Sequence, residues 1–232
     1  MQLFYCPQIL SHEYYLLDEE ARHCYKVLRK KQGDIINITD GKGSFYDGKL
    51  TSLSPQKCEF EITNTRSIQK VDHHIHIAIA PTKNIDRTEW FVEKCVELGI
   101  DEISFLQTSF SERKKINTER IRKKAISALK QSMRAYLPKI NELKKLGDFL
   151  NSPSHSQNFV AHLEENTPYL HKIVNKSDRY TVLIGPEGGF SKEEISGIKN
   201  KGYHLVKLGD HRLRTETAGV VACSVLNMIN LP

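Results

Sequence analysis

The feature that most constrains this chain is a change of rhythm near residue 72. Downstream of it, HIHIAIA (74–80) reads as a buried strand, and a helical pattern runs from Asp86 or Arg87 to Leu98. Gly99 closes that pattern as a glycine closes a helix, and EISFLQT follows as a second strand. Strand, helix and strand together have the length of one βαβ unit, the crossover that parallel strands require. A basic helix is predicted from about Thr118 to Ala135, with Ile121, Ala125, Ala128, Leu129 and Met133 as its buried stripe. NFVAHL, YTVLIG and YHLVKLG are three more apolar strands. Ser191 and Glu194 form a capping-box pattern that opens KEEISGIKNKG. Ala218, Val221, Ala222, Val225, Leu226 and Ile229 share one face of an amphipathic C-terminal helix. This part is therefore α/β with a mostly parallel sheet.

Upstream, the chain reads as short β-like runs broken by turn signals: INIT, Asp40-Gly41-Lys42-Gly43, SFYDGKLTSL, Ser54-Pro55 and KCEFEIT. Such spacing predicts a small antiparallel barrel or sheet. A helix from about Asp18 to Leu28, with Glu19 and Glu20 in its first turn, precedes it. The polar residues Asn64 to Asp72 make the linker, so the chain divides into residues 1–70 and 71–232.

With 232 residues, 39% of them hydrophobic and 27% charged, the chain can bury one large core or two modest ones. Its five cysteines form no CxxC pair and are odd in number, which fits incidental thiols in a reducing compartment and argues against zinc. No apolar run approaches the roughly 20 residues of a membrane span, and MQLFYCPQIL lacks a signal-peptide layout. A cytoplasmic protein is expected. His73, His74 and His76 invite a metal reading, but strand histidines are usually packed or solvated, and no metal is expected. Trp90 reads as core or interface packing.

The formal net charge of +6 matters less than its placement. Arg22, His23, Lys26, Arg29, Lys30 and Lys31 form one basic cluster, and a second runs from Arg113 to Arg134. Each alone reads as the solvated face of a helix. Two in different parts of the chain are equally consistent with a nucleic-acid surface.

The chemistry concentrates in LIGPEGGF, Leu183 to Phe190, at the end of a strand. Glycines there let backbone groups approach a ligand closely. A phosphate ligand is disfavoured: Glu187 would repel it, no Lys-Ser or Lys-Thr follows, and the glycine spacing fails GxGxxG. The ligand is neutral or positive where it meets this loop. A second glycine loop, LGDHRLRTETA (208–218), lies at the end of another late strand, and ligands of open α/β sheets bind at such ends.

GPEGGFSKEEI and LGDHRLRTETA, in this order, resemble the SPOUT-class methyltransferases, most closely the small-subunit ribosomal RNA uridine-N3 methyltransferases (RsmE type). APTKNIDRTEWFVEKCVELGIDEI (80–103) and ARHCYKVLRKKQGD (21–34) are similar to two further signatures of that family. Together the four stretches extend from about residue 21 to 218. The resemblance implies a SPOUT-type knotted (trefoil), mostly parallel α/β domain preceded by a small PUA-like β-barrel domain. It also implies a homodimer, S-adenosylmethionine as methyl donor, and 16S ribosomal RNA or the assembled small subunit as substrate. The donor has a sulfonium cation and no phosphate, which suits a loop carrying Glu187.

On this resemblance the donor lies against Gly185, Pro186, Glu187, Gly188 and Gly189, and against Leu208, Gly209, Leu213, Arg214, Thr215 and Ala218, with Leu163 from the preceding strand end. RNA contacts fall to Arg22, Lys26, Arg29 and Lys30, and to Lys83, Arg87 and Arg134. ALKQSMR (128–134) and Asp210-His211-Arg212 depart from the family's commoner residues, which bears on substrate contacts more than on the donor. Methylating uracil N3 requires a base for the imide proton and a cation for charge on the flanking carbonyls. Arg214 and Glu216 offer both. Glu216 has an equal alternative as a helix N-terminal charge behind Thr215 as cap, and Arg214 as a phosphate ligand. The target base must be unpaired or flipped out. Two rivals share the motifs: a SPOUT ribose 2′-O-methyltransferase acting on tRNA or rRNA, and a non-catalytic RNA-binding assembly factor.

Overall fold

A computed structural model describes residues 2–152, 156–176 and 179–231. The chain forms two units, residues up to 70 together with 126–137, and residues 71–125 together with 138 onward. In the first, β1 (Leu3–Tyr5), β2 (Tyr15–Leu17), β3 (Ile35–Thr39), β4 (Ser44–Leu53) and β5 (Lys57–Ser67) make one sheet in the order β1-β3-β4-β5-β2. The sheet is mixed rather than antiparallel, because β1 pairs parallel with β3. The linker expected from Asn64 is shorter: Asn64 to Ser67 continue β5 and pair with Asp47 to Ser44. Phe4, Leu16, Ile36, Ile38, Leu50 and Phe60 fill the core. A register shift between Asp47 and Gly48 leaves Thr63 of β5 as an extra, bulged residue, and a Cβ on Gly48 would lie 2.8 Å from Ile38 and 2.9 Å from Phe60. The helix expected over 18–28 is present as α1 (Asp18–Arg22), which widens into a π-helical turn over His23–Val27. The Leu28 amide there reaches back to the carbonyl of His23.

The second unit holds six strands, β6 (His74–Ile79), β7 (Glu102–Gln107), β8 (Lys139–Lys145), β9 (Gln157–Ala161), β10 (Arg179–Ile184) and β11 (His204–Val206). All neighbours pair parallel, in the order β11-β9-β10-β6-β7-β8. β8, KINELKK, was not anticipated, because its charged alternation does not read as a buried parallel strand. It lies at the sheet edge, where lysines on a strand are favoured.

Helix α2 (Ile85–Leu98) starts on Asn84, whose side chain accepts from the Asp86 amide, and ends at Gly99 with φ +93°. α3 (Thr118–Gln131) stops short of the expected Ala135, and Met133 lies past its end at φ +55°. Ile121, Ala125, Ala128 and Leu129 are buried as the stripe predicted. α4 (Leu146–Leu150) and α5 (Leu170–Ile173) are short; α6 (Lys192–Asn200) carries the Ser191–Glu194 capping box, and α7 is Thr215–Ile229. Ala78, Val160 and Leu183 of the sheet pack beneath Phe190, Ile195 and Ile198. All five cysteines are free and buried. Trp90 is 40% exposed, which removes the core reading and leaves the interface one.

Two stability outcomes follow. A Cβ on Gly219 of α7 would sit 2.4 Å from the ring of fully buried Phe91. Gly219→Ala gains about 1 kcal/mol of helix propensity, but the overlap costs more, so net destabilisation of about 1–2 kcal/mol is expected in urea unfolding. His76, half-buried and bonded through Nε2 to Ser104 Oγ at 2.8 Å, is held neutral by desolvation, its pKa lowered to about 4. The unfolded chain therefore binds the proton first. Stability is expected to fall by on the order of 3 kcal/mol as pH drops from about 6.5 to about 4, and a His76→Gln variant should show a flatter profile over that window.

Candidate active site

Because the six strands run one way, their carboxyl ends open on one edge. The loops after β6 (80–84), β9 (162–169), β10 (185–190) and β11 (207–214) meet there, at the point where the strand order reverses between β10 and β6. Side chains and backbone tie these loops together. Glu187 Oε1 accepts from the Lys83 amide at 3.2 Å, and Thr215 Oγ1 donates to the Gly185 carbonyl at 3.1 Å. Arg113 spans the next loop, donating to the carbonyls of Thr82 at 3.0 Å and Lys83 at 2.5 Å. The Ser109 amide donates to Glu194 at 2.7 Å.

Each glycine of GPEGGF has its own reason. A Cβ on Gly185 would press the Phe190 ring at 3.1 Å and the Gly189 carbonyl carbon at 3.2 Å, so a side chain there would force the ring or the turn to give by a few tenths of an ångström. Gly189 adopts φ +74°, in the left-handed region. Gly188 has an ordinary φ and abuts Phe110, 3.1 Å from where its Cβ would lie. Pro186 is buried, while Glu187 and Gly188 are exposed. Opposite, Leu208 and Gly209 are half-buried, Leu213 is exposed, and Leu163 is 51% exposed. Ala218 is half-buried one turn into α7.

Arg214 is the N-cap residue of α7 and is exposed. Thr215, read from sequence as the cap, is instead the first helical residue, and its hydroxyl serves the Gly185 loop. Glu216 is 6% exposed; one carboxylate oxygen lies 3.7 Å from Arg87 Nε, and the other has no hydrogen-bond partner. A buried carboxylate oxygen without a partner is costly, and Glu216 shares that state with Glu20, whose Oε2 is likewise buried and unpartnered.

The basic residues sort differently from their spacing in sequence. Arg22, Lys26 and Arg29 are exposed around the π-helical turn, with Arg29 at φ +50°, and Lys30 Nζ reaches the Ile35 carbonyl at 3.4 Å. Arg134 is exposed in the same unit. Lys83 pairs with Glu112 at 2.8 Å, and Arg87 faces Glu216. In the second basic cluster, Arg120 pairs with Glu89, Lys124 with Glu93 at 2.5 Å, and Lys130 with Glu20 at 2.5 Å. Much of that cluster is therefore a set of helix-to-helix ion pairs. Sequence reasoning missed Arg113 as a staple and Phe110 as the neighbour of Gly188. Their only signal was position just past β7, on the edge that carries the other loops. Among the described residues no group of three or more His, Cys, Asp or Glu is placed to hold a metal ion, and no helix is long and apolar enough to cross a membrane.

Comparison with known proteins agrees across nearly the whole length. The model of an RNA methyltransferase domain matches residues 69–227, and that of an RNA methyltransferase PUA domain matches residues 16–63. A ribosomal RNA small subunit methyltransferase E from Buchnera aphidicola is 27% identical over 94% of this chain and 88% of that protein. The crystal structure of a probable rRNA methyltransferase from Porphyromonas gingivalis superposes with a TM-score of 0.92 at 38% identity, covering 99% of this chain and 98% of that one. A ribosomal RNA small subunit methyltransferase E from Neisseria gonorrhoeae, bound to S-adenosyl methionine, superposes with a TM-score of 0.88 at 27% identity over 98% of this chain and 97% of that one.

Replacing Thr215 by the near-isosteric valine removes the tie between α7 and the Gly185 carbonyl. A loss of about 1 kcal/mol is expected, read as a drop in thermal midpoint of a few degrees.

Proposed function

The chain belongs to the RNA methyltransferase family, and from that premise we propose that it transfers a methyl group from S-adenosylmethionine to N3 of a uridine in 16S ribosomal RNA. The observation that carries this reading is the convergence of two glycine loops on one sheet edge, beside a buried carboxylate with an unpartnered oxygen. The relatives named above as small-subunit methyltransferases support the substrate class, and the one bound to S-adenosyl methionine supports the donor.

The edge fits such a donor. Gly185 to Gly189 and Leu208 to Gly209 present backbone, while Leu163 and Leu213 present exposed apolar surface suited to a nucleoside. Glu187 has its charge engaged by the Lys83 amide, and a ligand without phosphate does not oppose it. When bound, S-adenosylmethionine supplies a methyl group already activated on a sulfonium. The chain has then to place uracil N3 in line and manage its proton. In this reading the free oxygen of Glu216 takes the N3 proton and Arg214 stabilises the charge that spreads over the uracil carbonyls. A second reading of Glu216 rests on its 3.7 Å approach to Arg87: the carboxylate then positions that guanidinium, and Arg87 meets the RNA.

Residues 1–70 act in this proposal as the RNA-binding domain, with Arg22, Lys26, Arg29 and Lys30 on phosphates, and residues 71–232 as the catalytic domain. Lys83, Arg87 and Arg134 are further candidates for RNA contact. The protein works in the cytoplasm as a homodimer, on free 16S RNA or the assembled subunit. Exposed Trp90 on α2 and Met228 on α7 support an interface on those helices.

Calorimetry with S-adenosylmethionine in EDTA is expected to show binding, and mass spectrometry to place the methyl on uracil rather than ribose. For the mechanism, Glu216→Gln is expected to slow single turnover by ~10²-fold or more, partly rescued at higher pH. Arg214→Lys is expected to lose rate with nearly unchanged RNA affinity. Rates within about threefold of wild type for both variants at saturating RNA would remove this pair as the catalytic centre.

A further inference from the structure

Phe110 follows β7 on the loop-bearing edge, and its side chain is 53% exposed. An exposed apolar residue on a loose loop needs no explanation, but this one is held in place. The Ser111 amide donates to the Thr108 carbonyl at 3.2 Å, the Thr108 amide donates to Ser111 Oγ at 2.9 Å, and the two hydroxyls meet at 2.9 Å. Both residues are buried, and the Ser109 amide between them donates to Glu194 of α6 at 2.7 Å. The ring is therefore fixed at the surface by the turn that carries it.

It stands beside the GPEGGF loop. A Cβ on Gly188 would lie 3.1 Å from Phe110 Cβ and 3.5 Å from Cγ, so a side chain at 188 would press on the base of the ring. Strand order separates Phe110 from the apolar residues that suit the donor's nucleoside. Leu163 follows β9, and Leu208 and Leu213 follow β11, both on one side of β10. Phe110 follows β7, on the other side. The ring is thus left for a second planar group approaching the same glycine loop.

The charges on this segment suit RNA. Phe110 is followed within five residues by Arg113, Lys114 and Lys115. Arg113 is engaged by the Thr82 and Lys83 carbonyls, whereas Lys114 and Lys115 are exposed. Glu112, the carboxylate of the segment, is paired with Lys83 at 2.8 Å. An exposed aromatic ring with cations close along the chain is how proteins hold single strands: a base stacks on the ring and the cations meet the backbone. A uracil presented for methylation at N3 has left its pairing and stacking partners, and a fixed ring replaces the stacking.

We propose that Phe110 is a substrate-contact residue whose ring stacks on the unpaired uracil presented to the GPEGGF loop, with Lys114 and Lys115 on the flanking phosphates. The proposal rests on the methylation reading and adds the surface that holds the base.

The test uses the full chain in two arms. In the first, single-turnover methylation of 16S ribosomal RNA and of assembled small subunits is followed with saturating donor and varied RNA. Phe110→Leu keeps an apolar side chain but loses the plane. It is expected to raise the RNA concentration for half-maximal rate by about fivefold or more, the lower end of what one stacked base is worth. Donor affinity by calorimetry should stay within about twofold, and Phe110→Tyr, which restores the plane, should restore the RNA dependence. The second arm is independent of methyl transfer: a single-stranded oligouridylate carrying 5-iodouridine is photo-crosslinked to the parent chain, and the adduct is expected on the peptide that holds Phe110. An adduct there without any methylation of uracil would support the base contact and sink the methylation reading. Methylation by the parent with an unchanged RNA dependence in Phe110→Leu would sink the contact and spare that reading. The proposal is also overturned if Phe110→Leu weakens the donor instead of the RNA, if Phe110→Tyr fails to rescue, if the adduct lies elsewhere, or if Phe110→Leu lowers the mass of the protein in solution, which would make the ring a contact between copies.

Discussion

The loop-bearing edge of the second unit depends on one hydrogen-bonded ladder, the parallel pairing of Arg179–Ile184 with His74–Ile79. It seats β10 between β9 and β6, so that the loop after β10 meets the loop after β6 rather than its neighbours in sequence. The bond from the Lys83 amide to Glu187 and the staple of Arg113 across Thr82 and Lys83 are consequences of that register. A slip of one residue would turn Leu183 and Val182 to opposite faces and carry Gly185 away from Thr215.

Charge at this edge is handled by engagement rather than exclusion. Glu187 stands in the middle of the GPEGGF loop, where a backbone amide holds it in place. Glu216 is buried one residue beyond Thr215, with a guanidinium at one oxygen and nothing at the other. Two carboxylates in one site thus have opposite circumstances, one exposed and bonded, the other buried and half satisfied. Environment distinguishes the two although the residue type is shared.

Much of the fold was legible because it follows local rules. The capping box at Ser191, Gly99 at the end of α2, and the apolar periodicity of α7 each state their structure within a few residues. β4 could be read to its ends for the same reason. What escaped was decided elsewhere in the chain. The charged strand β8 exists because β7 offers it an edge, and the parallel partner of β3 is a three-residue strand too short to have a pattern. At the site, the glycine loops stood out, but the place of Thr215 did not, because its hydroxyl bonds to a carbonyl 30 residues away. The second basic cluster misled for a related reason: its carboxylate partners lie on α1 and α2, remote in sequence from α3.

The place of β10 also sets an order of events during synthesis. β6, β7 and β8 are neighbours in both sequence and space, so they can pair as they leave the ribosome, whereas β10 emerges roughly a hundred residues after β6. At ~5–20 residues per second, the inner edge of β6 waits on the order of ten seconds for its partner. During that interval HIHIAI presents unpaired backbone and three isoleucines, a template for any other nascent strand. The strand that completes this edge of the sheet is therefore also the one that covers the exposed backbone of β6.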